Sequence, residues 1–367
     1  MHVCSIHVQI GIEIMENITS ILDLMRLTRQ QCMRKSNLPE CIETDADGAD
    51  ADGVDAGTHA WKEKTVSFRD IAATVISILM RVITVLLNIK LAVEYHQQGE
   101  HSYFVWTVVC MIVPMCVTAL IYAQMYYKLT TKEESDVALI RLFECFMETA
   151  PQKILLMSII LTQSNQITDT QVWSVLLYLA NVPWTLGTYN RCIRAAQTIK
   201  NKLSYWLMAP HLCWHFCISV SRTLCITFIA VLFPIWTIVA CVQHAVITGF
   251  VTYILERPQF CGINAFHNFL FCIALGFIYI FIYIPVKEAP TRYKYALYYA
   301  ICSVENIICV VLFIYYAPKR LSQSKALFYT LCTLAIGFYY VGICCMCIYY
   351  IHFHPNVKAR KNMNIDS

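Results

Sequence analysis

Long apolar stretches separated by short polar connectors run from about residue 71 to residue 351. Apolar runs occupy 71–95, 103–127, 142–163, 172–190, 264–286, 295–317 and 326–351. A helix needs roughly 20 apolar residues to cross hydrocarbon, so each run predicts a transmembrane helix. Residues 205–255 are almost continuously apolar, too long for one simple span, and are interrupted by Pro210 and Pro234. Two readings fit that stretch. One crossing plus a membrane-embedded half-helix gives about eight spans; three short crossings give ten.

The connectors orient the pattern. Lys128 and Lys132, then Arg191, Arg194, Lys200 and Lys202, then Lys287, Arg292 and Lys294, then Lys358, Arg360 and Lys361 form basic clusters. The loops at 96–102 and 164–170 carry neither lysine nor arginine. Basic loops stay in the cytosol, so both termini are predicted to be cytosolic, which gives 205–255 an odd number of crossings. The Pro318-Lys319-Arg320 loop then falls outside, against the rule.

Three regions follow. Residues 1–69 form a cytosolic N-terminal region, 70–353 the membrane domain and 354–367 a short cytosolic tail. The chain opens on alternating Val8, Ile10, Ile12 and Ile14 without the continuous apolar core of a signal peptide, and Met15 is a candidate alternative start. Residues 16–35 predict an amphipathic helix around Ile18, Ile21, Leu22 and Met25, with Arg26, Arg29, Arg34 and Lys35 suited to an anionic inner leaflet. Residues 43–57 are an Asp/Gly/Ala linker too polar to bury.

Composition narrows the class. Of 367 residues 58% are hydrophobic and 14% charged, which excludes an ordinary soluble domain. Mean hydropathy is +0.53. The expected fold is an all-α polytopic membrane protein. The net charge of +4 is accounted for by the loops and implies no nucleic acid. The 19 cysteines include Cys225, Cys272, Cys309, Cys344, Cys345 and Cys347 inside apolar runs, where they read as small buried hydrophobes. Cys344, Cys345 and Cys347 lie near a cytosolic helix end and are candidates for palmitoylation. No phosphate-binding loop, zinc-ligand spacing or nucleophile elbow occurs, so no cofactor, metal or enzymatic activity is expected.

The informative residues are polar ones at membrane depth. Glu144 and Glu148 are four residues apart and share a helix face, followed at once by Pro151 and Gln152. They read either as an ion pair that locks the fold or as the acidic lining of a polar path. Lys153 lies just beyond, placed to snorkel or to meet a glutamate. Arg222 requires a carboxylate: Glu144, Glu148 or Glu305, with Glu148 favoured. Glu305 and Asn306 read as polar glue or as part of the path. In the first span Arg81, Thr84 and Asn88 share one face, and Lys90 and Glu94 form an i,i+4 pair. His211, His215, His244 and His267 are scattered and read as neutral core or interface residues. Tyr298, Tyr299, Tyr315, Tyr316, Tyr349 and Tyr350 predict interfacial belts.

Several blocks resemble a known family. Glu144-Cys145-Phe146-Met147-Glu148-Thr149-Ala150-Pro151-Gln152 is similar to the E-x-x-x-E-T-A-P-Q signature of XK-related proteins. That family holds the Kell-associated membrane protein and the caspase-activated phospholipid scramblases. Tyr189–Ala195, Ser219-Val220-Ser221-Arg222, Gly276–Phe281, Val286–Tyr299 with Glu305-Asn306, and Tyr349-Tyr350 with His354-Pro355 resemble further family blocks. The resemblance implies eight transmembrane helices plus embedded half-helices in internally repeated halves. It implies passive scrambling of membrane phospholipids, with phosphatidylserine exposure at the plasma membrane during apoptosis. It also implies a lipid path lined by Glu144, Glu148, Arg222, Thr84, Asn88 and Glu305. Relatives carry aspartates where this chain has Thr84 and Asn88, so two negative charges are absent here. The alternative role is that of a non-scrambling scaffold for a single-pass partner, a lipid-transfer protein or a second copy. Finally, Ile42-Glu43-Thr44-Asp45, Asp47-Gly48-Ala49-Asp50 and Asp52-Gly53-Val54-Asp55 each precede alanine. Asp45, Asp50 and Asp55 are therefore candidate caspase cleavage sites in an accessible linker.

Overall fold

The computed structural model describes residues 68–126, 139, 142–143, 145–163, 167–196, 205–256, 265–284, 292–317 and 325–353. Among them the chain forms nine α-helices and no strand. They are α1 (Phe68–Gln97), α2 (His101–Tyr126), α3 (Ala150–Thr162), α4 (Asp169–Ala196), α5 (Tyr205–Leu232), α6 (Pro234–Glu256), α7 (Ala265–Ile278), α8 (Arg292–Tyr316) and α9 (Lys325–Ile348). A π-helical turn, Cys145–Thr149, leads into α3, and another, Tyr349–Phe353, extends α9. The chain is therefore an all-α polytopic membrane protein.

The helix lengths follow a repeating order. α1 to α4 have 30, 26, 13 and 28 residues. α5 to α8 have 28, 23, 14 and 25. α1, α2, α5, α6, α8 and α9 are long and apolar enough to cross a membrane. α4 is long enough, but buries Thr170, Gln171, Ser174 and Tyr178 on a stripe spaced by about four residues. α7 is apolar but short: 14 residues span about 21 Å, less than the ~30 Å hydrocarbon core.

This corrects the reading of 205–255. That stretch is neither one crossing nor three; it is two long helices meeting at Phe233. Pro210 is the sixth residue of α5, so its missing N–H costs only the bond to the Trp206 carbonyl close to the helix start. Pro234 occupies the first position of α6, a site that proline tolerates. Arg222 and His244 lie equally far from Phe233 along the chain, yet both reach Glu305. On a straight helix they would be about 33 Å apart, so α5 and α6 fold back as a hairpin. The short element is instead α7, inside the run expected to cross at 264–286. Two crossings followed by a short helix keep the same parity as one crossing and a full span.

α7 breaks at Ile278, and residues 279–284 continue as a non-helical segment in the core. Tyr279, Ile280, Phe281, Ile282 and Ile284 are all buried. Non-helical backbone at membrane depth must find its partners within the protein, and it does so here. The N–H groups of Tyr279 and Ile282 donate to carbonyls of the last turn of α7. Tyr298 Oη–H donates to the Tyr279 carbonyl at 2.9 Å, and Tyr279 Oη–H to that of Ile284 at 2.8 Å. Arg222 Nε–H donates to the Ile280 carbonyl at 2.9 Å.

α5 is the hub. In its span 67% of residues are buried, against 17–28% in the other five long apolar helices. It packs on α3, α4, α6, α8 and α9. α7 lies directly on α6, backbone to backbone. A Cβ on Gly276 would come within 2.1 Å of the Ala245 carbonyl oxygen, and one on Gly249 within 2.6 Å of that of Cys272. Ala245 and Gly249 on one helix and Cys272 and Gly276 on the other form a small-x-x-x-small pairing, which admits no larger side chain at the glycines.

Candidate functional site

Intramembrane polar groups gather in two clusters. The first joins α1, the π turn, α3 and α4. The run Cys145–Thr149 adopts a π turn immediately before Pro151, and Thr149 enters α3 with helical backbone and no side-chain cap. The wider turn is a common device at functional sites. It places Glu148, 1% exposed, 2.7 Å from the guanidinium of Arg81 on α1. One turn further, Lys153 is fully enclosed: it donates to Asn88 Oδ1 at 3.1 Å and to Ser174 Oγ. Lys153 therefore does not snorkel; its described hydrogen-bond partners are neutral, and Glu148, one turn back, adds an electrostatic attraction. Thr84 turns inward but spends its hydroxyl on the Met80 carbonyl of its own helix, 2.8 Å away. The side chains of Thr149 and Gln152, each 1% exposed, have no hydrogen-bond partner among the described residues.

The second cluster lies near the middle of α5, α6 and α8. Arg222 is 4% exposed and directs its three nitrogens to three partners. Besides the Ile280 carbonyl, Nη1 donates to Asn306 Oδ1 at 2.9 Å and Nη2 pairs with Glu305 Oε2 at 2.7 Å. Asn306 passes the network on to Ser221 Oγ at 3.3 Å, whose hydroxyl donates to the Ala335 carbonyl of α9 at 2.5 Å. Arg222 therefore pairs with Glu305, not with Glu148, which Arg81 occupies. His244 of α6 approaches Glu305 Oε1 at 3.6 Å and so joins the charged cluster. Glu305 is 35% exposed and His244 20%, so this cluster opens toward the molecular surface.

Near the C-terminal end of α1, Lys90 and Glu94 form the expected pair at 3.9 Å, and Thr170 Oγ1–H donates to Glu94 at 2.6 Å. Several tyrosines read as belts belong to the interior. Tyr299 and Tyr349 are buried, and Tyr295 and Tyr299 lie with Trp214 in an aromatic cluster. Tyr315 and Tyr316 are exposed, as a belt requires. Sequence reasoning missed Ser174, Ser221 and His244 as members of the clusters. The only signal for Ser221 was its adjacency to Arg222. Glu144 and the linker aspartates Asp45, Asp50 and Asp55 lie outside the described residues. No His/Cys/Asp/Glu group suited to a metal ion occurs among the described residues.

A model of the XK-related protein family matches residues 72–132 and 122–355. Cell death abnormality protein 8 of Caenorhabditis briggsae is 27% identical over 248 residues, covering 63% of this chain and 51% of that protein. XK-related protein 9 of Tetraodon nigroviridis is 26% identical over 235 residues, covering 63% and 60%. The chain thus spans little more than half the length of these relatives.

Proposed function

From the chain's membership of the XK-related protein family, as its family match shows, we propose that it is a passive phospholipid scramblase. The observation that carries this reading is the Arg222–Glu305–His244 cluster. A carboxylate about one-third exposed near the middle of a membrane helix is costly in pure hydrocarbon. Beside a lipid head group it replaces hydrogen bonds that the head group would otherwise lose, worth several kcal/mol per polar group. On α6 an open, mostly apolar face formed by Ile238, Val239, Val242, Gln243, Val246 and Ile247 offers acyl chains a surface beside His244. Transport of this kind needs no ATP and runs in both directions.

Control would come from the N-terminal linker. Cleavage by a caspase at Asp45, Asp50 or Asp55 would release the residues that precede the cut. One of the relatives is named for cell death, which agrees with such control. One experiment addresses both parts: purified chain in liposomes holding a fluorescent phospholipid, with dithionite outside, before and after caspase treatment. The expected result is that inner-leaflet lipid becomes reachable by dithionite, faster after cleavage. A rate equal to that of protein-free liposomes in both arms would refute the scramblase reading.

A second reading is a scaffold for a single-pass or lipid-transfer partner. It is favoured by the satisfaction of Arg222 and Lys153 inside the fold, which is what structural charges require. In that case Glu305→Gln would leave lipid exposure unchanged while lowering the melting temperature.

The topology that accompanies either reading places both termini in the cytosol and 164–170 outside, at the plasma membrane. An epitope inserted after Asn165 is expected to stain on intact cells, and tags at either end only after permeabilisation. The reverse staining would overturn the orientation.

A further inference from the structure

The thiols at one end of the α5–α9 interface play no part in the polar clusters. Cys213 and Cys217 stand on one face of α5, with Sγ atoms 3.9 Å apart. From α9, Cys345 Sγ approaches Cys213 Sγ at 3.6 Å. The approach is built into the packing. Gly342, one turn before Cys345, has no side chain, and Ile218 of α5 fills the space, 2.9 Å from where a Cβ would be. Cys344 and Cys347 on the same turn of α9 are exposed, whereas Cys345 faces α5.

We propose that Cys213 and Cys345 are a disulfide-forming pair, oxidised by hydroperoxides that reach the membrane edge. A disulfide has an S–S length of about 2.05 Å, so the two sulfurs must close by about 1.5 Å. Cys217 is the poorer partner for Cys213, because a bond between residues four apart on one helix strains the backbone. The chemistry runs in two steps. The exposed Cys213 sulfur attacks the hydroperoxide, ROOH, giving Cys213–SOH and the alcohol ROH. The Cys345 sulfur then displaces water from the sulfenic acid and forms the S–S bond. Two thiols are oxidised, one hydroperoxide is reduced, and the products are the disulfide, ROH and H2O. The bond would tie α9 to the hub helix at the end from which the C-terminal tail leaves.

The test uses the unmodified full chain in lipid vesicles. One arm receives hydrogen peroxide in the buffer, and the other contains a phospholipid hydroperoxide in the bilayer. Digestion without reductant and mass spectrometry then identify linked peptides, and maleimide labelling reports free thiols. The expected result is a Cys213–Cys345 linked peptide with near-complete loss of labelling at both positions in at least one arm. The arm that produces it identifies the source of the oxidant. Dithiothreitol is expected to restore labelling, and Cys217→Ser to form the same link. Retained labelling of Cys213 and Cys345 in both arms would overturn the proposal. So would a dominant link from either thiol to Cys217, Cys344 or Cys347.

Discussion

Arg222→Leu is expected to remove most folded protein from the membrane, and adding Glu305→Gln should recover part of the loss. Arg222 holds three partners at once: Glu305, Asn306 and the Ile280 carbonyl. Without it, Glu305 loses its counter-charge at membrane depth. Removing one member of a fully buried pair costs about 3–5 kcal/mol; Glu305 is about one-third exposed, so the loss here lies below that. Neutralising Glu305 as well removes the stranded charge. It does not restore the donor to Ile280, whose buried carbonyl then costs about 1–3 kcal/mol. Recovery should therefore be partial, and larger than in Arg222→Leu combined with Glu148→Gln, where Arg81 loses its own partner instead. Melting temperatures of the detergent-purified single and double variants measure this directly. Strict additivity of Arg222→Leu and Glu305→Gln, or rescue by Glu148→Gln, would show that the pairing is not the one described.

The Arg222 case also shows where sequence reading stops. A buried arginine demands an acid, and that much is legible from Arg222 within an apolar run. Which acid it meets depends on how α5, α6 and α8 lie side by side, and no spacing along the chain encodes that. The fold class and most helices are legible because hydrocarbon thickness imposes length on every crossing. The break at Ile278 is not, because no proline marks it. It follows from the close seating of α7 on α6 at Gly249 and Gly276, and from the tyrosines and arginine that satisfy the freed backbone. His244 is invisible for the same reason: only the hairpin at Phe233 brings it level with Glu305. Thr84, Asn88 and Arg81 are correctly placed on one inward face by helical spacing alone. Their individual roles differ, however, since Thr84 bonds within its helix while Asn88 bonds across to Lys153.

That difference separates two substitutions that look equivalent in the sequence. Asn88→Asp is expected to raise the melting temperature, and Thr84→Asp to lower it. Asn88 Oδ1 already accepts from Lys153 at 3.1 Å, so a carboxylate there needs no new geometry. It would give the enclosed lysine, whose described hydrogen-bond partners are neutral, an opposite charge in direct contact, in addition to the longer-range attraction of Glu148. A charge-assisted bond replaces a weaker one, for a gain on the order of 1 kcal/mol after desolvation of the new carboxylate. At Thr84 the nearest cation on the same face is Arg81, already engaged by Glu148 at 2.7 Å. A new carboxylate there competes with Glu148 and carries much of the insertion cost of an aspartate in mid-helix, about 2.5–3.5 kcal/mol. Lys153→Met serves as the control, since it should abolish the gain from Asn88→Asp and leave an unpaired acid in its place. The three variants can be ranked by thermal unfolding of the purified protein. A loss of stability in Asn88→Asp as large as that in Thr84→Asp would mean that Lys153 is held by something other than Asn88.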